Sequence, residues 1–144
     1  MRRADFNREE PQQRHEHHRD WLKQIHWSAY AKLGFRRPPS RERAEDLFSE
    51  WIAHMKVEEG HQDIQFLKVQ ETWNWRENPH LHVLLATAKP MKVSTWEQQW
   101  FRLAGIAKVD PYDPDQGACN YLARKWVSGV AEVDFSDGFK GLLS

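Results

Sequence analysis

Two short stretches of this chain carry side chains whose types and spacing could do chemistry together. Asn78-Pro79-His80-Leu81-His82-Val83-Leu84-Leu85 sets two imidazoles two positions apart, and Asn120-Tyr121-Leu122-Ala123-Arg124-Lys125 follows about forty positions later. In a strand, side chains alternate between faces, so His80 and His82 point one way and Leu81 the other. Two imidazoles on one face can share a metal ion. A tyrosine on a later helix could bring a nucleophile to that metal. The chemistry expected is metal-assisted cleavage of a phosphodiester through a covalent tyrosine intermediate.

A metal site needs a third anchor. Glu71 stands nine residues before His80. If the strands around these residues form a hairpin, its carboxylate comes close to the histidine pair. Two imidazoles and one carboxylate suit Mn, Fe, Co, Ni or Zn and leave positions open for phosphate oxygens. Gln70 points to the opposite face and would replace Glu71 if the register were off by one. The plain alternative is a strand with two ordinary histidines.

In the tyrosine stretch, Cys119, Leu122, Ala123 and Trp126 make one apolar helical stripe, and Tyr121, Arg124 and Lys125 share another face. A phenol, with a pKa near 10, is a poor nucleophile at neutral pH. Cations at Arg124 and Lys125 would favour its phenolate and offset charge on a phosphate. Otherwise Tyr121 is a boundary residue with solvated basic neighbours. Trp73 and Trp75, with Arg76 beside them, fall between Glu71 and His80. They would either stack on unpaired bases or cover the edge of the core. Arg36, Arg37, Arg41 and Arg43 are candidate phosphate contacts or plain surface.

Several elements must position these groups. Trp27, Ala29, Ala31 and Leu33 alternate and predict a strand over 27–35. Ser40 is a fitting N-cap, and Ala44, Leu47, Phe48, Trp51, Ile52 and Met55 recur at three and four, which predicts a helix from Ser40 to about Val57. Strands are expected over 64–72 and 80–86, then a helix capped by Ser94 or Thr95 and ending near Gly105. A short strand over 106–109, a stiff turn at Asp110-Pro111-Tyr112-Asp113-Pro114, a helix from about Asp115 to Val127 and a last strand over 130–135 complete the order. This is no regular βαβ repeat. It predicts an α+β fold, a mainly antiparallel sheet of about five strands with helices against it.

The 144 residues fit one domain, and 40% apolar residues are enough for a core. Residues 1–20 are polar, charged and without periodicity, and are expected to form a flexible basic arm before a single domain over 21–144. Within that arm His15, His17 and His18 are expected to be solvated. Net charge is zero, but residues 1–43 hold eleven Lys/Arg against six Asp/Glu, leaving ten against fifteen of the totals of 21 each for the rest. The basic first third could meet phosphates. Eight Trp is high for this length, so some are expected to be contact residues. Cys119 is the single cysteine, which excludes an internal disulfide and fits a reducing compartment. No apolar run approaches the roughly 18 residues needed to span a bilayer, and no apolar stretch follows the basic N-terminus. The expected location is cytoplasmic.

The motifs together resemble the HUH endonucleases, named for their His-hydrophobic-His motif, and are most similar to the single-tyrosine rolling-circle replication initiators of plasmids and phages. The resemblance covers about residues 27–127. Ala31-Lys32-Leu33-Gly34-Phe35-Arg36-Arg37-Pro38-Pro39-Ser40 is similar to the family's first motif, His80-Leu81-His82 to its second. Asp110-Pro111-Tyr112-Asp113 with Gly117 to Lys125 resembles the tyrosine motif and its approach. The resemblance implies that His80, His82 and Glu71 bind Mn²⁺ or Mg²⁺. It implies that Tyr121 attacks single-stranded DNA or a DNA hairpin at a replication origin, stays linked to the 5′ phosphate and frees a 3′ hydroxyl. Rejoining is the reverse reaction. The chain departs from the family pattern twice. Lys32, Leu33 and Gly34 stand where a Thr is usual, and Arg124 stands where the family places Lys, with Lys125 one residue on. Arg keeps the charge but does not readily exchange a proton. No helicase domain is expected within these residues, so the resemblance implies either a host helicase as partner or a piece of a longer protein. The alternatives are a single-tyrosine transposase of the same superfamily, a non-catalytic DNA-binding module of the same fold, and a His-x-His metal hydrolase without a tyrosine role.

Overall fold

The computed structural model describes residues 11–71, 80–128 and 131–136. Among them, four helices pack against one five-stranded sheet. In chain order these are α1 (Pro11–Lys23), β1 (Ala29–Leu33), α2 (Arg41–Val57), β2 (Gln65–Glu71), β3 (Leu81–Ala86), α3 (Val93–Leu103), β4 (Ala107–Pro111), a 3-10 turn (Pro114–Gln116), α4 (Ala118–Ser128) and β5 (Ala131–Phe135). The strand order is β4-β1-β3-β2-β5, and every neighbouring pair is antiparallel. The α+β class expected from the element order is the one observed.

The central strand β3 explains the layering. Its Leu81, Val83 and Leu85 point to one face, where Ala44, Leu47, Phe48, Trp51, Ile52 and Met55 of α2 and Trp96 and Trp100 of α3 cover them. Leu84 and Ala86 point to the other, beneath Leu22 of α1 and Ala118, Cys119, Leu122 and Ala123 of α4. A strand covered on both faces reads as an almost unbroken apolar run, and His82 is the one polar residue within β3.

Local signals account for most boundaries. The Ser40 hydroxyl accepts from the Arg43 amide at 3.0 Å and caps α2 as expected. Where α3 ends, a Cβ on Gly105 would come within 2.7 Å of the Gly34 carbonyl oxygen and the Arg36 nitrogen, so only glycine lets this turn pass so close to the backbone that follows β1. Neither Ser94 nor Thr95 caps α3; Lys92 stands at its N-cap without a side-chain hydrogen bond. Among the described residues four Trp are core, Trp27, Trp51, Trp96 and Trp100; Trp51 meets Trp96 and Trp100 edge-to-face, and Trp100 Nε1 donates to the Gly34 carbonyl at 2.8 Å.

The N-terminal stretch is not a flexible arm where it is described. From Pro11 onward the polar stretch is helix and packs on α4. His15 Nε2 donates to the Asn120 carbonyl at 3.2 Å, and the His18 ring meets Trp126 edge-on at 3.9 Å between centroids. Trp21 joins Trp126 and Phe135, and Leu22 is fully buried. The apolar periodicity is weak because histidine rings, polar by type, supply part of the packing surface.

Candidate functional site

The site lies on the α1/α4 face of the sheet. β1 presents Tyr30 and Lys32 to it, on the alternation opposite to the core residues Ala29, Ala31 and Leu33. β3 presents His82, paired in register with Lys32 on one side and Val69 of β2 on the other. α4 is held over these strands by its buried stripe of Ala118, Cys119, Leu122 and Ala123. Its first turn follows Gly117, whose φ of +77° is the left-handed conformation glycine adopts freely, and the Tyr121 amide bonds the Gly117 carbonyl at 2.9 Å.

This packing brings the tyrosine to the histidine strand. The rings of Tyr121 and His82 lie 5.1 Å apart between centroids, at 54°. Lys125 Nζ stands 5.5 Å from the centre of the Tyr121 ring, one helical turn on. A cation within this reach stabilises negative charge developing on the phenolic oxygen. Arg124 is exposed. Of the two basic residues after the tyrosine, Lys125 is the one over its ring.

Tyr30, which belongs to none of the motifs, completes the cluster. The Tyr30 hydroxyl is 2.9 Å from His82 Nδ1. Which atom donates depends on the tautomer. With Nδ1–H donating to the phenolic oxygen, Nε2 carries the lone pair a metal requires, the usual arrangement of a ligating histidine. Burial, and secondarily the neighbouring Tyr121, push the Tyr30 hydroxyl well above its ordinary range, so it stays protonated. The signal for Tyr30 was present in the chain: a strand whose odd positions are apolar must turn Tyr30 and Lys32 to the other side.

His80 is exposed at the entry to β3, and its ring lies over Gly34, with Cδ2 and Nε2 at 3.5 and 3.7 Å from where a Cβ would stand. It therefore shares the face of His82. The β2–β3 register runs from Gln65↔Ala86 to Gln70↔Leu81, so one step further sets Glu71 opposite His80. The expected hairpin between these strands is present. The Glu71 side chain lies outside the described residues, as do Trp73, Trp75 and Arg76. Among the described residues, no group of three or more His, Cys, Asp or Glu gathers in a form that could hold a metal. Two imidazoles on one face, one with its Nδ1 already engaged by a hydroxyl, are donors of a type that suits a divalent cation.

The other expected residues divide. Gln70 is buried and turned away from the histidines; its Nε2 donates to Glu132 at 2.7 Å. Arg41 forms an ion pair with the same Glu132, at the α2 edge rather than on the histidine face. Arg43 and Arg37 are exposed. The Arg36 guanidinium lies over the Phe101 ring at 5.1 Å, two residues beyond Gly34. The Cys119 thiol is buried and 3.1 Å from the Tyr112 hydroxyl, and burial pushes its pKa up, which marks it as packing rather than nucleophile.

Among the described residues, no helix is long and apolar enough to cross a membrane. Comparison of the chain with family models, with curated proteins and with solved structures gives no match.

Proposed function

We propose that this chain is a metal-dependent endonuclease that nicks and rejoins single-stranded DNA through a covalent 5′-phosphotyrosine, as in the initiation of rolling-circle replication. The observation that carries the proposal is the 5.1 Å approach of the Tyr121 and His82 rings, from a helix and a strand about forty positions apart in the chain. The side-chain types at that meeting point are those the chemistry needs, and Lys125 stands over the phenol.

In this reaction the Tyr121 oxygen attacks phosphorus and the bond from phosphorus to the 3′ oxygen breaks. The departing electron pair stays on that oxygen. In net terms the phenol loses one proton and the 3′ oxygen gains one, so no water is consumed and the step can run backwards to join strands. His80 and His82, with Glu71, would hold the divalent cation. Bound there, Mn²⁺ or Mg²⁺ supplies polarisation of a phosphate oxygen. Tyr30 orients His82, and Lys125 offsets negative charge at the nucleophile. A replication origin carrying a hairpin as substrate, a host helicase as partner and a cytoplasmic setting go with this function.

The test is incubation with single-stranded oligonucleotides and Mn²⁺, with and without EDTA, followed by a denaturing gel. A covalent protein–DNA species that needs metal is expected. Tyr121→Phe should abolish it while DNA binding survives. An adduct that persists in Tyr121→Phe overturns the nucleophile assignment, and its absence from the unaltered protein on origin-containing single strands overturns the function.

A further inference from the structure

Beside the Tyr121–His82 pair, a cavity of about 340 Å³ opens between β1, β4 and the turn before α4. Tyr30, Lys32, Lys108, Asp110, Tyr112 and Gln116 line it. We propose that this cleft binds a nucleotide of single-stranded DNA next to the scissile phosphate, with Lys32 and Lys108 on its backbone. The proposal rests on the endonuclease function and adds a substrate subsite to it.

The charge arrangement names the ligand class. Lys32 is the register partner of both Lys108 on β4 and His82 on β3, so two lysines and the histidine form one row across three strands. Cross-strand partners stand about 4.5–5.5 Å apart at Cβ, and like charges placed directly opposite one another destabilise a sheet. Burial does not require this pair: Lys32 and Lys108 are both exposed, with Lys32 Nζ 5.8 Å from the centre of the Tyr30 ring. An anion laid over both turns the repulsion into attraction. Asp110 answers only loosely, its carboxylate 3.9 Å from Lys108 Nζ in an exposed pair, an arrangement worth little.

Shape and wall chemistry extend the anion to a nucleotide. The volume is at the small end of ligand clefts, on the scale of one residue of a strand. Tyr30 and Tyr112 bring aromatic rings to the wall, surfaces on which an unpaired base can stack. Gln116 offers both a donor and an acceptor. Continuity fixes the position along the strand. Tyr30 is at once a wall of the cleft and the hydrogen-bond partner of His82, so a nucleotide held here adjoins the phosphate that Tyr121 would attack.

The experiment measures binding apart from cleavage. Tyr121→Phe in EDTA is titrated into a fluorescent oligothymidylate of about a dozen nucleotides, and anisotropy is followed over a series of salt concentrations. Each single-strand phosphate contact contributes a slope of about −0.7 to log K against log salt. Lys32→Gln and Lys108→Gln on that background should each make the slope shallower by about 0.7, and together by about 1.4. Lys56→Gln, on the α2 side of the sheet, should leave it unchanged. Because the lysine pair is repulsive, the double variant should unfold at the same temperature as its parent or higher. Unchanged slope and affinity in the double variant, with the parent binding, overturn the cleft and leave the endonuclease function standing. A lower unfolding temperature makes the lysines structural and likewise overturns it. A parent that does not bind the oligonucleotide removes both.

Discussion

The Tyr30 hydroxyl and His82 Nδ1 lie 2.9 Å apart, joining the first strand of the sheet to the central one. The bond occupies one imidazole nitrogen and so selects which nitrogen is presented to a cation. Losing such an outer partner typically weakens metal binding or activity about 10–100-fold. Tyr30→Phe should therefore raise the Mn²⁺ concentration needed for half-maximal adduct formation by about that factor, with the yield restored at saturating metal. Isothermal titration with Mn²⁺ reads the same loss directly. An unshifted metal requirement would show that His82 does not depend on the phenol.

The two cations after Tyr121 are predicted to differ. Lys125 Nζ is 5.5 Å from the ring centre, whereas Arg124 is exposed. Lys125→Gln should slow adduct formation on the order of tenfold, less than the 10²–10³ lost with a preorganised oxyanion donor. Arg124→Gln should change it by less than about threefold, since exposed charges contribute little. Single-turnover gels on both variants decide this, and equal losses would assign the two residues a shared role.

Acid stability should report His61. Its residue is 3% exposed, its ring lies against Trp96, and its Nδ1 has no hydrogen-bond partner. Burial first, and then the Lys89 charge, lower its pKa from the ordinary 6.5, with Asp63 and Glu59 opposing. The unfolded chain then binds this proton more readily than the folded one. Stability from this group is therefore full above about pH 6.5 and is lost as pH falls through the lowered folded value. Thermal unfolding should show a smaller drop between pH 7 and pH 5 in His61→Gln than in the unaltered protein. Equal drops would place the acid sensitivity elsewhere.

Gly105→Ala tests the close approach of the end of α3 to the backbone of Gly34 to Arg36. The added methyl would meet backbone atoms at 2.7 and 2.8 Å, and backbone cannot swing aside as a side chain can. Overpacking of this kind costs about 1–3 kcal/mol, measurable by denaturant unfolding. Because Gly34 takes part in that contact and borders His80, activity should fall with it. A variant of unchanged stability would mean the turn can open without cost.

The boundaries of α2, β2 and β3 were legible because their signals are local. Ser40 caps, Ala44 to Met55 repeat at helical spacing, and β3 is a short apolar run after a Pro. The shared face of His80 and His82 followed from strand alternation alone. Tyr30 escaped notice because β1 was recognised by its apolar positions, and the first helix because His15, His18 and Trp21 bury surface without an apolar period. Lys92 at the start of α3 shows that a helix can begin without a capping side chain when Trp96 and Trp100 anchor it in the core.

The sequence by itself determined the elements after the first helix and the parity of their side chains, because hydrogen-bonding geometry and steric preference act over a few residues. It named the histidine pair, the tyrosine and its two basic neighbours as chemically apt. Only the tertiary structure decided that Tyr121 meets His82, that Lys125 and not Arg124 covers the phenol, and that Tyr30 enters from a third element. Those contacts depend on how α1 and α4 bury one face of β3 while α2 and α3 bury the other. That choice is made by the whole core at once and is written in no single segment of the chain.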